Sequence, residues 1–170
     1  AALKTGLPCD KLIRKQSCRY FYLGKESAVM GLSLKKCTIQ DVCVLRELSI
    51  KTYFETFAPF NTPENMDAYL KNAFGREELC RQLEDSNSEF FLLLADGKPA
   101  GYIKLNEAAS QTDIHDKNSL EIERIYVSSE FQGCGLGSAL MNLALETARE
   151  RGRACTIGPI IHNRQVVQRL

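Results

Sequence analysis

The sequence has no apolar run near the roughly 20 residues a membrane-spanning helix needs, so no membrane partner is expected. It has little charge imbalance. A formal net charge of +1 gives no sign of a nucleic-acid partner. Its two histidines, His115 and His162, stand apart from any ligand cluster, and no two of its seven cysteines have CxxC spacing. That odd, scattered set (Cys9, Cys18, Cys37, Cys43, Cys80, Cys134 and Cys155) argues against both a zinc site and a disulfide framework. Reduced thiols in a cytoplasmic protein without a metal are the expectation. With 170 residues, 44% hydrophobic and 25% charged, the chain is one globular domain's worth, long enough to bury a core.

The charge is unevenly spread. Residues 1–29 hold six Lys or Arg against Asp10 and Glu26, while the rest holds 16 basic and 19 acidic residues. The first Met is Met30, and the region before it has little hydrophobic periodicity and no apolar core of a secretory signal. It reads as a basic extension, disordered or non-native, ahead of a domain over residues 30–170. A basic arm of this kind can also dock on an anionic surface.

Past that arm the hydrophobic pattern is informative. LSLKKC, Leu32–Cys37, alternates as a strand, and Thr38 with Asp41 three residues on forms a capping-box start for a helix to about Phe57. Thr62 as N-cap and Pro63 at the first position open a second helix, with Met66, Tyr69, Leu70, Ala73 and Phe74 along one face. A short helix over Arg76–Leu83 follows. Phe90–Ala95 is a continuous apolar run, as in a strand covered on both faces, and Asp96-Gly97 turns the chain into a strand over Ala100–Leu105. After a polar loop, Leu120–Val127 is a further strand, then a glycine-rich turn, a helix to about Arg151 and a last short strand over Ala154–Gly158. The order β-α-α-α-β-β-β-α-β predicts an α/β (α+β) fold: a mixed central sheet with helices on both faces.

The turn FQGCGLGSAL, Phe131 to Leu140, places Gly133, Gly135 and Gly137 between a strand and a helix. Amides at a helix N-terminus have no intrahelical partner, and the helix dipole is positive there, so such a turn suits a phosphate or serves simply as a tight connection. The spacing GxGxG is not the dinucleotide GxGxxG, and no acidic ribose partner follows about 20 residues on. No lysine completes a P-loop.

Gln132-Gly133-Cys134-Gly135-Leu136-Gly137, preceded by ERIYV, resembles the loop of the GNAT superfamily of N-acetyltransferases. The stretches TPENMDAYL, AGYIKLN and LEIERIYV make the chain most similar to the bacterial spermine/spermidine acetyltransferase type. The resemblance implies acetyl-CoA as acyl donor and a small-molecule amine, plausibly a polyamine, as acceptor, joined by direct attack in a ternary complex. A homodimer is compatible with it. It implies that Ile125, Tyr126 and Val127 line the acetyl and pantetheine end. Gln132, Gly133, Cys134, Gly135, Leu136, Gly137 and Ser138 would hold the pyrophosphate, and Asn163 would join the cofactor site.

Strand alternation places Glu121, Glu123, Ile125 and Val127 on one face, where two carboxylates could draw in a cationic amine and accept its proton. By resemblance Glu123 is the first candidate base and Glu121 the second. A solvated strand face, or Glu123 paired with a lysine or arginine, is the plain alternative. Near the C-terminus the family pattern N-x-x-A-x-x-F/L-Y is departed from. Val166, Arg169 and Leu170 stand at its alanine, apolar and tyrosine positions. The general acid is therefore unidentified, with His162 a weak substitute, and the last strands of the sheet are expected to be missing. A degenerate, non-catalytic acyl-CoA-binding module is the competing reading.

Overall fold

The computed structural model describes residues 19–23, 28–113 and 115–158. Its strands are β1 (Arg19–Leu23), β2 (Ala28–Lys36), β3 (Ser88–Ala95), β4 (Lys98–Asn106), β5 (Ser119–Val127) and β6 (Ala154–Ile157). They lie side by side in sequence order in one mixed sheet, antiparallel up to β5 and parallel between β5 and β6. The helices are α1 (Val42–Phe57), α2 (Pro63–Ala73), α3 (Arg76–Glu84) and α4 (Leu136–Glu150).

The helix starts follow the expected chemistry. The Asp41 carboxylate accepts the Thr38 amide at 3.0 Å, half of a capping box, and a 3-10 turn over Ile39–Asp41 leads into α1. Thr62 Oγ1 accepts the Asn65 amide at 3.3 Å, with Pro63 in the first turn of α2. Asp96 and Gly97, at φ 48° and 78°, make the β3–β4 hairpin with both central residues left-handed.

Two apolar clusters sandwich the sheet. On one side Leu136, Leu140, Leu143, Ala144 and Ala148 of α4 pack on Leu93, Ile103, Leu105, Leu120, Ile122 and Ile125. On the other, Val42, Leu45, Phe74 and Leu79 of the first three helices cover Phe90, Leu92, Tyr102 and Tyr126. Each fully buried leucine or phenylalanine contributes about 1.5–3 kcal/mol. β4 and β5 lie inside the sheet, so even their charged residues Lys104, Glu121, Glu123 and Arg124 are buried.

Two expectations change. β2 begins at Ala28 rather than Leu32, and Arg19–Leu23 pair with it as β1, so part of the basic arm belongs to the sheet. Backbone hydrogen bonding, which leaves no side-chain period to read, makes this strand. The remainder of the arm, and residues 159–170 with His162, Asn163 and Leu170, lie outside the described residues. Among the described residues no helix is long and apolar enough to cross a membrane.

Candidate active site

β5 and β6 run together only from Ser119↔Ala154 to Ile122↔Ile157. The Gly158 amide adds a last bond to the Ile122 carbonyl at 2.9 Å. A Cβ on Gly158 would lie 2.8 Å from Glu121 Oε1, so glycine is what lets the chain pass there. Beyond it, among the described residues, the outer edge of β5 from Glu123 to Val127 has no strand beside it. An open edge of this kind offers backbone donors and acceptors to an extended ligand carrying amides.

The glycine turn sits at the end of that edge. Gly133 and Gly135 have φ of 78° and 76°, the left-handed region that residues with a Cβ adopt only at a cost. A Cβ at either would meet no protein atom within 4 Å, so the demand for glycine comes from backbone twist while the outer side stays open. The first amide of α4 with an intrahelical acceptor recorded is Ala139, on the Gly135 carbonyl at 3.1 Å. The amides of Leu136, Gly137 and Ser138 precede it and are the free donors that any helix start presents.

The expected loop residues do not all contribute in the same way. Gln132 Nε2 donates to the Val127 carbonyl at 3.2 Å, tying the turn back to β5. Leu136 has its side chain in the core and can offer only its amide. Gly137 is inside the helix, Ser138 is exposed, and Cys134 Sγ contacts the Gln132 carbonyl at 3.7 Å. Free amides, open space and a positive helix end fit a diphosphate.

The expectation that Glu121, Glu123, Ile125 and Val127 share a face is overturned. Lys104 faces Arg124 and Leu105 faces Ile122, which leaves Glu123 as an extra residue, a β-bulge. The bulge reverses alternation, so Ile122 and Ile125, three apart, both pack beneath α4. Glu121 therefore belongs to the face opposite Ile125 and Val127.

Neither glutamate is solvated. Glu123 Oε2 receives Lys104 Nζ at 2.5 Å and Asn106 Nδ2 at 2.5 Å, and Oε1 lies 3.0 Å from Arg124 Nη2. Burial alone would raise its carboxyl, but the Arg124 and Lys104 charges and these hydrogen bonds hold it below its ordinary value. Glu121 accepts the Thr112 amide at 2.9 Å, Thr112 Oγ1 at 2.8 Å and Asn106 Nδ2 at 3.2 Å.

Lys104, Asn106 and Arg124 did not enter the sequence reading. A signal existed. Lys104 and Asn106 are two apart on a strand that, after one hairpin, must lie near LEIERIYV. Two buried acids on a central strand need such partners. The Arg124 guanidinium also lies 5.1 Å from the Phe74 ring, while its Nε and Nη1, the Tyr102 hydroxyl and Ser49 Oγ are buried with no hydrogen-bond partner among the described residues. Burial pushes the Tyr102 phenol up to about 12, so it stays protonated. α1 is fixed to the glycine turn: the Ser129 amide donates to Glu55 Oε2 at 2.9 Å, and Lys51 pairs with Glu130.

Among the described residues, a strand edge that starts at a charged bulge and ends at a donor-rich glycine turn suits an extended, phosphate-bearing ligand. The Acetyltransferase (GNAT) family model matches residues 45–166, and the chain belongs to that family. It is an N-acetyltransferase with acetyl-CoA as acyl donor. It is 35% identical over 120 residues to an uncharacterized N-acetyltransferase of Lactobacillus delbrueckii subsp. lactis, covering 71% of this chain and 69% of that one. A spermidine N(1)-acetyltransferase of Thermoplasma acidophilum is 23% identical over 127 residues, 72% of this chain and 74% of that one. The crystal structure of the PaiA N-acetyltransferase of Thermoplasma acidophilum with coenzyme A superposes with a TM-score of 0.69 at 22% identity, covering 82% and 84%.

Proposed function

We propose that the chain acetylates a primary amine of a small polyamine-like molecule by direct attack in a ternary complex. The observation that supports this most is the Glu123–Val127 edge, unpaired on its outer side among the described residues, leading straight into the glycine turn. On this reading the pantetheine amides pair with the backbone of Ile125, Tyr126 and Val127. The pyrophosphate rests against the turn from Gly133 to Ser138, chiefly on the free helix amides after Gly135, with Gln132 fixing the turn. Asn163 stays a candidate contact by family pattern alone.

The amine lone pair attacks the thioester carbonyl. A C–N bond forms, the C–S bond breaks, one proton leaves the nitrogen and one ends on the CoA sulfur. Glu123, held ionised at the bulge, is the candidate acceptor of the amine proton through water, with Glu121 behind it. The polyamine acceptor is supported by the similarity to a spermidine N(1)-acetyltransferase and by the TPENMDAYL, AGYIKLN and LEIERIYV stretches. The free thiols among the described residues suit a reducing, cytoplasmic setting.

Family membership favours an enzyme over a non-catalytic acyl-CoA-binding module. The test is CoA thiol release with acetyl-CoA and spermidine, spermine or simple monoamines. Release with polyamines carries the reading. Release only with other amines removes the polyamine, and acetyl-CoA binding without release from any amine restores the module.

A further inference from the structure

Asn106 is fully buried at the crossing of three strands. Ser88 on β3 faces it, and it faces Glu121 on β5. Ser88 Oγ donates to Asn106 Oδ1 at 2.8 Å, which fixes the orientation of the amide: oxygen toward β3, nitrogen toward β5. The two Nδ2 protons are then spent on two carboxylates, Glu121 Oε2 at 3.2 Å and Glu123 Oε2 at 2.5 Å. Among the described residues no other side chain donates to both acids.

A bulge residue has no ladder partner of its own, so its side-chain direction must be set by other contacts. Lys104 and Arg124 neutralise Glu123, but a lysine ammonium is a point charge that fixes a distance and little else, and Arg124 reaches the carboxylate through Nη2 alone, without using its fork. Asn106 is planar and anchored at its far end, which makes it the directional contact.

We propose that Asn106, oriented by Ser88, is the positioning residue of the site: its amide joins the two glutamates and sets the direction of the Glu123 carboxylate at the bulge. This rests on the reading of Glu123 as the group that receives the amine proton. The charged and titratable groups facing Glu123 are Lys104 and Tyr102 on β4, Glu121 and Arg124 on β5 and Tyr69 on α2. Glu78 on α3 acts through Lys104. None of these would be replaced in the test.

Asn106→Ala, Asn106→Asp and Ser88→Ala would be compared with wild type in two measurements. One is the titration of the Glu123 carboxyl carbon by carbon-13 NMR on the full chain, with the resonance assigned from Glu123→Gln. The other is CoA release with acetyl-CoA and the best amine of the panel above, scaled to folded protein by circular dichroism. Asn106→Ala should move the Glu123 midpoint up, Asn106→Asp further still, because a third carboxylate then faces the pair. kcat should fall about tenfold or more in both, with KM for acetyl-CoA held within about twofold. Ser88→Ala removes one hydroxyl and leaves the asparagine, so it should fold and show a smaller change of the same kind. A Glu123 midpoint and kcat unchanged in the folded variants would overturn the proposal, and Ser88→Ala keeps that outcome accessible if both Asn106 variants unfold. A wild-type kcat in Glu123→Gln would instead sink the proton-acceptor reading, while the NMR titration still decides the role of Asn106.

Discussion

β5 carries two irregularities, one near its middle and one just past its end, and they are built from opposite materials. The bulge at Glu123 is buried on both faces and held open by charge: Lys104, Arg124 and Asn106 converge on one carboxylate. The glycine turn is largely exposed and shaped by backbone conformation, with two left-handed glycines and open space around them, and is anchored only at its start by Gln132 and Glu55. The first spends its polar groups within the protein. The second leaves its amides free. On the function proposed above, the turn binds the donor and the bulge orders the reacting end.

The largest break in that comparison should come from the buried side. Lys104→Met fills the space of the lysine stem but leaves the 2.5 Å contact to Glu123 without its cation. Removing one partner of a buried pair costs about 3–5 kcal/mol of stability. Urea unfolding should show that loss, and a loss below about 1 kcal/mol would mean that Arg124 and Asn106 suffice to hold the bulge.

Gly135→Val acts on the other side. A β-branched residue at φ 76° is strained even where nothing crowds it, and relaxing the strain moves the first turn of α4. Acetyl-CoA affinity measured by calorimetry should fall about tenfold or more, equivalent to about 1.4 kcal/mol, with a smaller change in stability. An unchanged Kd would detach the turn from donor binding.

Acid sharpens the contrast. The Glu123 carboxyl is held below its ordinary value of 4.5, as are Glu89 and, relative to 3.8, Asp41. A carboxylate with a lowered folded value adds stability that is fully present above its unfolded value. That stability is lost as pH falls through the folded value. Urea midpoints should therefore be flat near neutrality and drop below about pH 4.5. Glu123→Gln should make that drop shallower, whereas Gly135→Val should leave its slope unchanged, since no titrating group is altered.

The two regions also differ in how far the sequence reveals them. Glycine at Gly133 and Gly135 is chosen by local φ, and a local cause leaves a local signature, so the turn, the helix after it and the excluded nucleotide motifs were all readable. The helix caps at Thr38 and Thr62 were readable for the same reason. The bulge was not. Strict alternation along LEIERIYV is the natural reading, and only the register against Lys104 and Leu105 shows one residue too many. Two of the partners of Glu123, Lys104 and Asn106, come from another strand and depend on how β4 and β5 slide past each other. β1 escaped for a related reason: RYFYL alternates little, and its strand rests on backbone pairing with Ala28–Leu32.

The smallest effect is expected at Gly133. Its φ of 78° is left-handed, a Cβ there would meet nothing within 4 Å, and it precedes the helix instead of capping it. The chain already carries Ala108 and His115 at φ 48° and 50°, so an alanine in this region of backbone space is strained but admissible. Gly133→Ala should cost about 1 kcal/mol of stability, the ordinary penalty for a single left-handed residue with a Cβ. Acetyl-CoA affinity should change by no more than about threefold if the donor lies on the helix amides after Gly135. A loss as large as that of Gly135→Val would place the pyrophosphate over Gly133 itself, with the added methyl standing where a phosphate oxygen must come.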